Sequence, residues 1–232
     1  MNMKETSWKN YGFEFLSIFI AVISAFALTN WQENRRERDA ELKILTEIQH
    51  GLQKDIEDVL LNIKGHEAGI RACAYWVRIA NGQETSTDTL REYYLDLTRD
   101  FISIQNVSGY ETLKSRGLEL IEDDSLRSEI ISLYEYDYEI LLKFEEEYQE
   151  MQFQRSFYHG LNDVIAPNLE FDEKGDIANI MLPLKISSKE KKLFLSYLWK
   201  ININRNFILR YYKALKEKLE HLQTKIDHHL AS

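Results

Sequence analysis

Few side chains in these 232 residues are spaced for chemistry. Glu47-x-x-His50 is the chain's sole Glu-x-x-His. A di-metal carboxylate centre in a helical bundle needs two such pairs and two more carboxylates on facing helices, so this one reads as a solvated pair. His221, Asp227, His228 and His229 carry donor atoms suited to a metal, but their place near the carboxy terminus reads as a frayed polar tail. Cys73, the only cysteine, and His66 share an apolar seam, which reads as a small core residue and a packed histidine rather than a nucleophile and a protonation switch. The run Glu145-Glu146-Glu147 reads as a solvated helix face. No Gly-rich phosphate loop, H-E-x-x-H or G-x-S-x-G occurs. No catalytic residue, metal or cofactor is assigned, and the expectation is a non-enzymatic protein.

Glu14 is the exception, because it is the only charged residue between Tyr11 and Trp31, in YGFEFLSIFIAVISAFALTNW. A bilayer core needs about 20 largely apolar residues in a helix. This run has that length, with Tyr11 and Trp31 placed as interfacial aromatics and Arg35, Arg36 and Arg38 just beyond. It is read as a single-pass transmembrane helix over 11–31, following a tail at 1–10 and preceding a helical domain at 32–232. A cleavable signal peptide is the main competitor, with Lys4 and Lys9 as its basic region and Ala25-Phe26-Ala27 as its cleavage site. Lys4 and Lys9 precede the run while Arg35, Arg36, Arg38 and Lys43 follow it, which places the bulk of the chain in the cytoplasm.

The elements that position these residues follow from periodicity. With 9 Gly and 2 Pro, the chain has too few turn formers for a many-stranded sandwich or barrel, and an all-α fold is expected. A strict heptad links Glu14, Ser17, Ala21, Ser24, Leu28, Trp31, Arg35 and Arg38 to Leu42, Leu45, Gln49, Leu52, Ile56, Val59, Ile63, His66, Ile70, Cys73, Val77 and Ala80. Within the span the stripe is small and polar, as helices that associate in lipid require. Beyond Leu42 it becomes the seam of a coiled coil or bundle helix. Gly65 and Gly69 are where a bend would cost least. Capping boxes at Thr89/Glu92 and Ser108/Glu111 open short helices, the first running to about Ile104, and Gly117 stops the second. One long helix is expected from Ser125 to Ile165, then a loop with at most a short strand at IANIMLPL. A third box, Ser187/Glu190, opens a last helix with Phe194, Leu198, Ile201, Arg205, Ile208, Tyr212, Leu215, Leu219, Leu222 and Ile226 on one stripe.

These long stripes are buried most economically by an antiparallel bundle into which the transmembrane helix continues. Charge favours the same packing: residues 185–232 carry 11 Lys+Arg and 4 Asp+Glu, net +7, whereas residues 110–176 carry 6 and 18, net −12. The formal net charge of −9 argues against a nucleic-acid partner.

Two stretches resemble the domain of unknown function 6090 family of bacterial membrane proteins. The first ends its apolar helix in Ala27, Leu28, Asn30, Trp31, Glu33 and Arg35, matching that family's Ala-Leu-x-x-Asn-Trp-x-Glu-x-Arg; the second matches a Tyr-x-x-Leu-x-x-x-Gly block through Tyr110, Leu113 and Gly117. The leader here is shorter and less basic, and the usual doubled Asn before Trp31 is missing. The resemblance implies a membrane anchor with a helical domain in a bacterial inner membrane, and it implies nothing about catalysis, since that family has no assigned activity. The expected partners are the lipid bilayer, further copies of the chain, and a partner protein held near the membrane. On the expected reading the protein is a scaffold that self-associates through the membrane helix, by a face of Glu14, Ser17, Ala21 and Ser24, and through its continuing heptad seam. The alternative is an oligomeric pore or gating component with Glu14 at its mouth.

Overall fold

The apolar run at Tyr11 is part of a single helix, α1, spanning Lys4–Ala80. The computed structural model describes residues 4–83 and 85–231, without the side chains of residues 4–7, 9 and 10; Lys4 and Lys9 as a signal-peptide basic region, and all of Glu84, therefore lie outside the described residues. At ~1.5 Å per residue, the 77 residues of α1 extend about 115 Å. From Lys4 onward the segment read as a tail is helical. Helices make up 81% of the described residues.

The last helix, α7 (Ser188–Ala231), returns antiparallel along α1. Lys213 pairs with Glu67 at 3.1 Å, Gln223 with Gln53 at 3.0 Å and His229 with Glu41 at 3.2 Å, in descending order against ascending positions. All ten residues of the α7 stripe are buried. On α1, Leu45, Leu52, Ile56, Val59, Ile63, His66, Cys73 and Ala80 are buried with them, while Leu42, Gln49, Ile70 and Val77 are half-buried. The heptad seam beyond Glu41 is therefore filled by this chain's own α7. Its Glu14–Arg35 portion stays exposed, and Arg38 already reaches α7 at His229 Nε2, 3.0 Å away.

α7 starts at the expected capping box: Ser187 N–H donates to Glu190 Oε2 at 2.7 Å, and Glu190 N–H donates to Ser187 Oγ at 3.2 Å. We expect Ser187→Ala to lower stability by about 1 kcal/mol, read as a shift of the urea midpoint; an unchanged midpoint would remove the cap from the stabilising contacts.

Between the long helices run α2 (Leu90–Thr98), α3 (Ser108–Arg116), α4 (Asp124–Ser132), α5 (Tyr138–Glu146) and α6 (Phe153–Ile165). Several differ from the sequence reading. α2 stops at Thr98 rather than Ile104, and Thr89 makes no side-chain cap. Ser108 lies inside α3, whose cap position is Val107. Gly117 stops α3 as expected, at φ 109°, where its N–H donates to the Leu113 carbonyl. The single helix expected from Ser125 to Ile165 is divided. A π-turn at Leu133–Asp137 joins α4 to α5, and a break at Glu147–Gln152 separates α5 from α6. The break is stabilised from elsewhere, since Asp100 Oδ1 accepts the Phe153 N–H at 2.6 Å and the Gln154 N–H at 3.3 Å, capping α6 from 53 residues away.

The stretch IANIMLPL supplies β2 (Ile177–Ile180), paired antiparallel with β1 (Leu169–Phe171), a strand the sequence reading missed. The charge asymmetry is realised in contacts: Lys200–Glu150 at 3.1 Å, Lys218–Asp137 at 2.5 Å and Lys225–Glu129 at 2.7 Å join α7 to the acidic segment.

The core has two apolar clusters. One packs Leu45–Ile63 against Ile208–Ile226 and residues of α3–α5; the other packs Ala72–Ala80 against Phe194–Ile201 and α6. Where they meet, the interior turns polar.

Candidate functional site

Two regions of this fold have properties that packing alone does not require. The first is the exposed apolar face of α1. Twelve large apolar or aromatic side chains between Tyr11 and Trp31 stand in solvent, among them Phe13 at 77% exposure and Phe15 at 70%. An 18-residue window there has mean hydropathy 2.0 and none of it is buried; this is a helix long and apolar enough to cross a membrane. Glu14, Ser17, Ala21 and Ser24 lie on this open surface. Ser17 Oγ donates to the Glu14 carbonyl at 2.8 Å, so its hydroxyl is satisfied within the helix. Tyr11 and Trp31 are exposed at the two ends of the run, and the Arg35 guanidinium lies 5.8 Å from the Trp31 ring centroid. Arg38 turns the other way, donating to Glu41 at 2.7 Å. Arg36 faces a groove shared with Arg116.

The second region is the polar layer between the two apolar clusters. Arg205 of α7 is fully buried there. Its Nη2 donates to the carbonyls of Asp96 (3.1 Å), Leu97 (3.2 Å) and Arg99 (2.9 Å), the unpaired acceptors at the carboxy-terminal end of α2. The negative end of that helix's dipole thus meets the buried cation. The guanidinium also stacks on Phe153 at 4.1 Å from the ring centroid and abuts the His66 ring, Nη1 to Nδ1 3.3 Å. Gly69 is what admits it, because a Cβ there would overlap the guanidinium. In the same way Gly65 admits the Phe101 ring. The two glycines serve close approach, and α1 does not break at either. Burial lowers the Arg205 pKa to about 10, which leaves it charged at neutral pH. Burial, and then the Arg205 charge, push His66 down to about 3, so it is neutral.

Carboxylates complete this layer. After α2 the chain has no regular secondary structure over residues 99–107, and three of its backbone donors are met by acids rather than by a neighbouring strand. Ser103 N–H donates to Glu145 at 3.1 Å, Ile104 N–H to Asp58 at 3.1 Å and Asn106 N–H to Asp55 at 2.9 Å. Tyr138 and Tyr212 donate their hydroxyls to Asp55 and Glu145 respectively. Glu145 is therefore buried, contrary to the solvated face expected of its run, while Glu146 and Glu147 are exposed. Desolvation raises its pKa to about 7 against the hydrogen bonds from Tyr212 and Ser103. A cavity of about 40 Å³ lies against His66, Asp100 and Glu145, with room for water and for no substrate-sized molecule.

The remaining residues singled out in the sequence do not converge. Glu47 and His50 are exposed on α1. His221 faces Glu129 at 3.6 Å, Asp227 accepts from Gln49, and His229 lies by Glu41, on a helix that stays regular to Ala231 rather than fraying. Among the described residues no three His, Cys, Asp or Glu side chains form a metal-holding group. Cys73 is buried, its thiol pushed up to about 12 by desolvation. Sequence reading missed Arg205, Asp55 and Glu145 as a buried set. Arg205 carried a signal, a charge at a core position of an otherwise apolar stripe; Asp55 and Glu145 carried none. No family model, curated protein or solved structure matches the chain.

Proposed function

We propose that this is a non-enzymatic, single-pass membrane protein of the domain of unknown function 6090 family. Its helical domain is an antiparallel bundle held on the cytoplasmic side of a bacterial inner membrane as a scaffold for copies of itself or a partner protein. The observation that carries the reading is the bare apolar face of α1 between Tyr11 and Trp31. Leaving twelve such side chains in water forgoes on the order of 20 kcal/mol, more than a domain's whole stability, so a nonaqueous surrounding is the economical one. Association is assigned to Glu14, Ser17, Ala21 and Ser24, because the continuing seam is filled by α7. The buried polar layer supports a structural rather than catalytic role, since its groups are closed off from any substrate-sized space.

The test is fractionation of cells producing the full chain. The protein is expected in the membrane pellet after alkaline carbonate washing, with an intact mass that includes residues 1–27. Ile20→Arg with Ile23→Arg is expected to move most of it to the supernatant. Wild-type protein in the supernatant, or a mature chain beginning at Leu28, would overturn the anchor.

A further inference from the structure

At the junction between the bare span and the folded body lies a groove of about 350 Å³. Its α1 wall is one helix face, Thr29, Gln32, Arg36 and Ala40, flanked by Glu33 and Glu37; its far wall is Arg116 at the end of α3, with Leu120 beside it. Among the described residues, no side-chain hydrogen bond or ion pair engages Glu33, Arg36, Glu37 or Arg116, although two cations and two anions share one concavity. Glu33, Arg36 and Glu37 lie on adjacent turns of α1, and Arg116 faces them from the end of α3.

The groove's position says what kind of molecule would reach it. Thr29 and Gln32 lie within one turn of Trp31, the residue placed at headgroup level. Followed down the helix at 3–4 spacing, the same face continues through Ala25, Val22 and Ile18, all exposed and apolar or small. This face is turned about 100° from the one bearing Ser17, Ala21 and Ser24, so association through the latter leaves it free. An acyl chain lying along Ile18–Ala25 would carry its headgroup into the groove. Thr29 Oγ1 already donates to the Ala25 carbonyl at 2.9 Å, which leaves the charged groups to do the recognising.

From this geometry we infer that the groove is a binding site for the headgroup of an amine-bearing zwitterionic phospholipid, with its phosphate between Arg36 and Arg116 and its ammonium on Glu33 and Glu37. Guanidinium groups match the planar spacing of phosphate oxygens. A primary ammonium offers three N–H donors to the carboxylates, whereas a trimethylammonium offers none. A headgroup with net negative charge leaves the two glutamates unpaired beside it. The inference rests on the membrane-anchored reading above and names one lipid class for it.

The full chain in detergent micelles is mixed with equimolar phosphatidylethanolamine, phosphatidylglycerol and phosphatidylcholine of identical chains, and retained lipid is counted by native mass spectrometry. The wild type is expected to keep the ethanolamine lipid over each of the others by at least about fivefold. Arg36→Gln with Arg116→Gln should abolish that preference, and Glu33→Gln with Glu37→Gln should turn it toward the glycerol lipid. Equal retention of all three lipids by the wild type, or a preference that survives Arg36→Gln/Arg116→Gln, overturns the site. Free phosphoethanolamine in millimolar excess should leave the lipid adduct in place; its displacing the lipid would assign the groove to a soluble phosphoamine instead and overturn the lipid assignment. Vesicle flotation separates the two readings. A chain that floats but shows no lipid preference loses the headgroup site alone, and one that does not float loses the anchor with it.

Discussion

Arg205→Met should destabilise the folded domain by about 3–5 kcal/mol, the range for removing one partner of a buried charged network. Methionine fills similar space, so the loss comes from the partners left behind. The carbonyls of Asp96, Leu97 and Arg99 would keep no donor in place of Nη2, and each unsatisfied buried acceptor costs about 1–3 kcal/mol. Gly69→Ala should cost about 1–3 kcal/mol for a different reason, since its Cβ enters the volume of the guanidinium. Because both act on one contact, the double variant Gly69→Ala/Arg205→Met should be only slightly less stable than Arg205→Met alone. Urea unfolding of the full chain in micelles, followed by fluorescence from buried Trp76, measures all three. A midpoint for Arg205→Met within about 1 kcal/mol of wild type would refute the clamp, and strict additivity would refute the coupling.

The second large effect is on pH dependence. Glu145 sits at about 7 in the folded chain against an ordinary 4.5. The folded state therefore holds that proton more tightly than the unfolded state. Its contribution is complete below pH 4.5 and is lost as pH rises through 7. His66 sits at about 3 against an ordinary 6.5, so the folded state sheds that proton. Its contribution is complete above pH 6.5 and is lost as pH falls toward 3. At about 1.4 kcal/mol per pH unit, the two slopes oppose one another and nearly cancel between pH 4.5 and 6.5. Single variants should uncover them. With Glu145→Gln, stability should climb by about 3 kcal/mol from pH 4.5 to 6.5; with His66→Phe it should fall by a similar amount. Asp55, Asp96 and Asp100 are also raised by burial and add to the falling side in every variant, so differences from wild type isolate the two groups. Urea midpoints across pH 4.5–8 make the comparison. Profiles for Glu145→Gln and wild type that superimpose would show that Glu145 does not titrate in this window.

What the sequence made legible was whatever depends on neighbours three or four positions away. The α7 stripe from Phe194 to Ile226, the α1 seam from Leu45 to Ala80, the Ser187/Glu190 cap and the stop at Gly117 all belong to that class. The misreadings share the opposite character. α6 is capped by Asp100 from another segment, so the break after Glu146 has no local mark. The segment after Thr98 reads as helix because its backbone partners, Asp55, Asp58 and Glu145, lie about forty or fifty positions away. Glu145 looks like Glu146 and Glu147 in sequence, and only the tertiary position of Ser103 and Tyr212 sets it apart. Gly65 and Gly69 were legible as weak points of a helix, yet their use as seats for Phe101 and Arg205 depends on side chains that approach from across the domain.

One mechanical consequence follows from α1 being uninterrupted from Lys4 to Ala80. In an anchored chain it is a stiff lever with its fulcrum near Trp31, and ~1.5 Å per residue puts Ala80 about 75 Å beyond that point. A span leaning by ~20°, a common inclination, would swing the far tip sideways by about 25 Å. That lean would thereby fix how far from its footing the distal cluster around Trp76 is carried, with no hinge to absorb the difference.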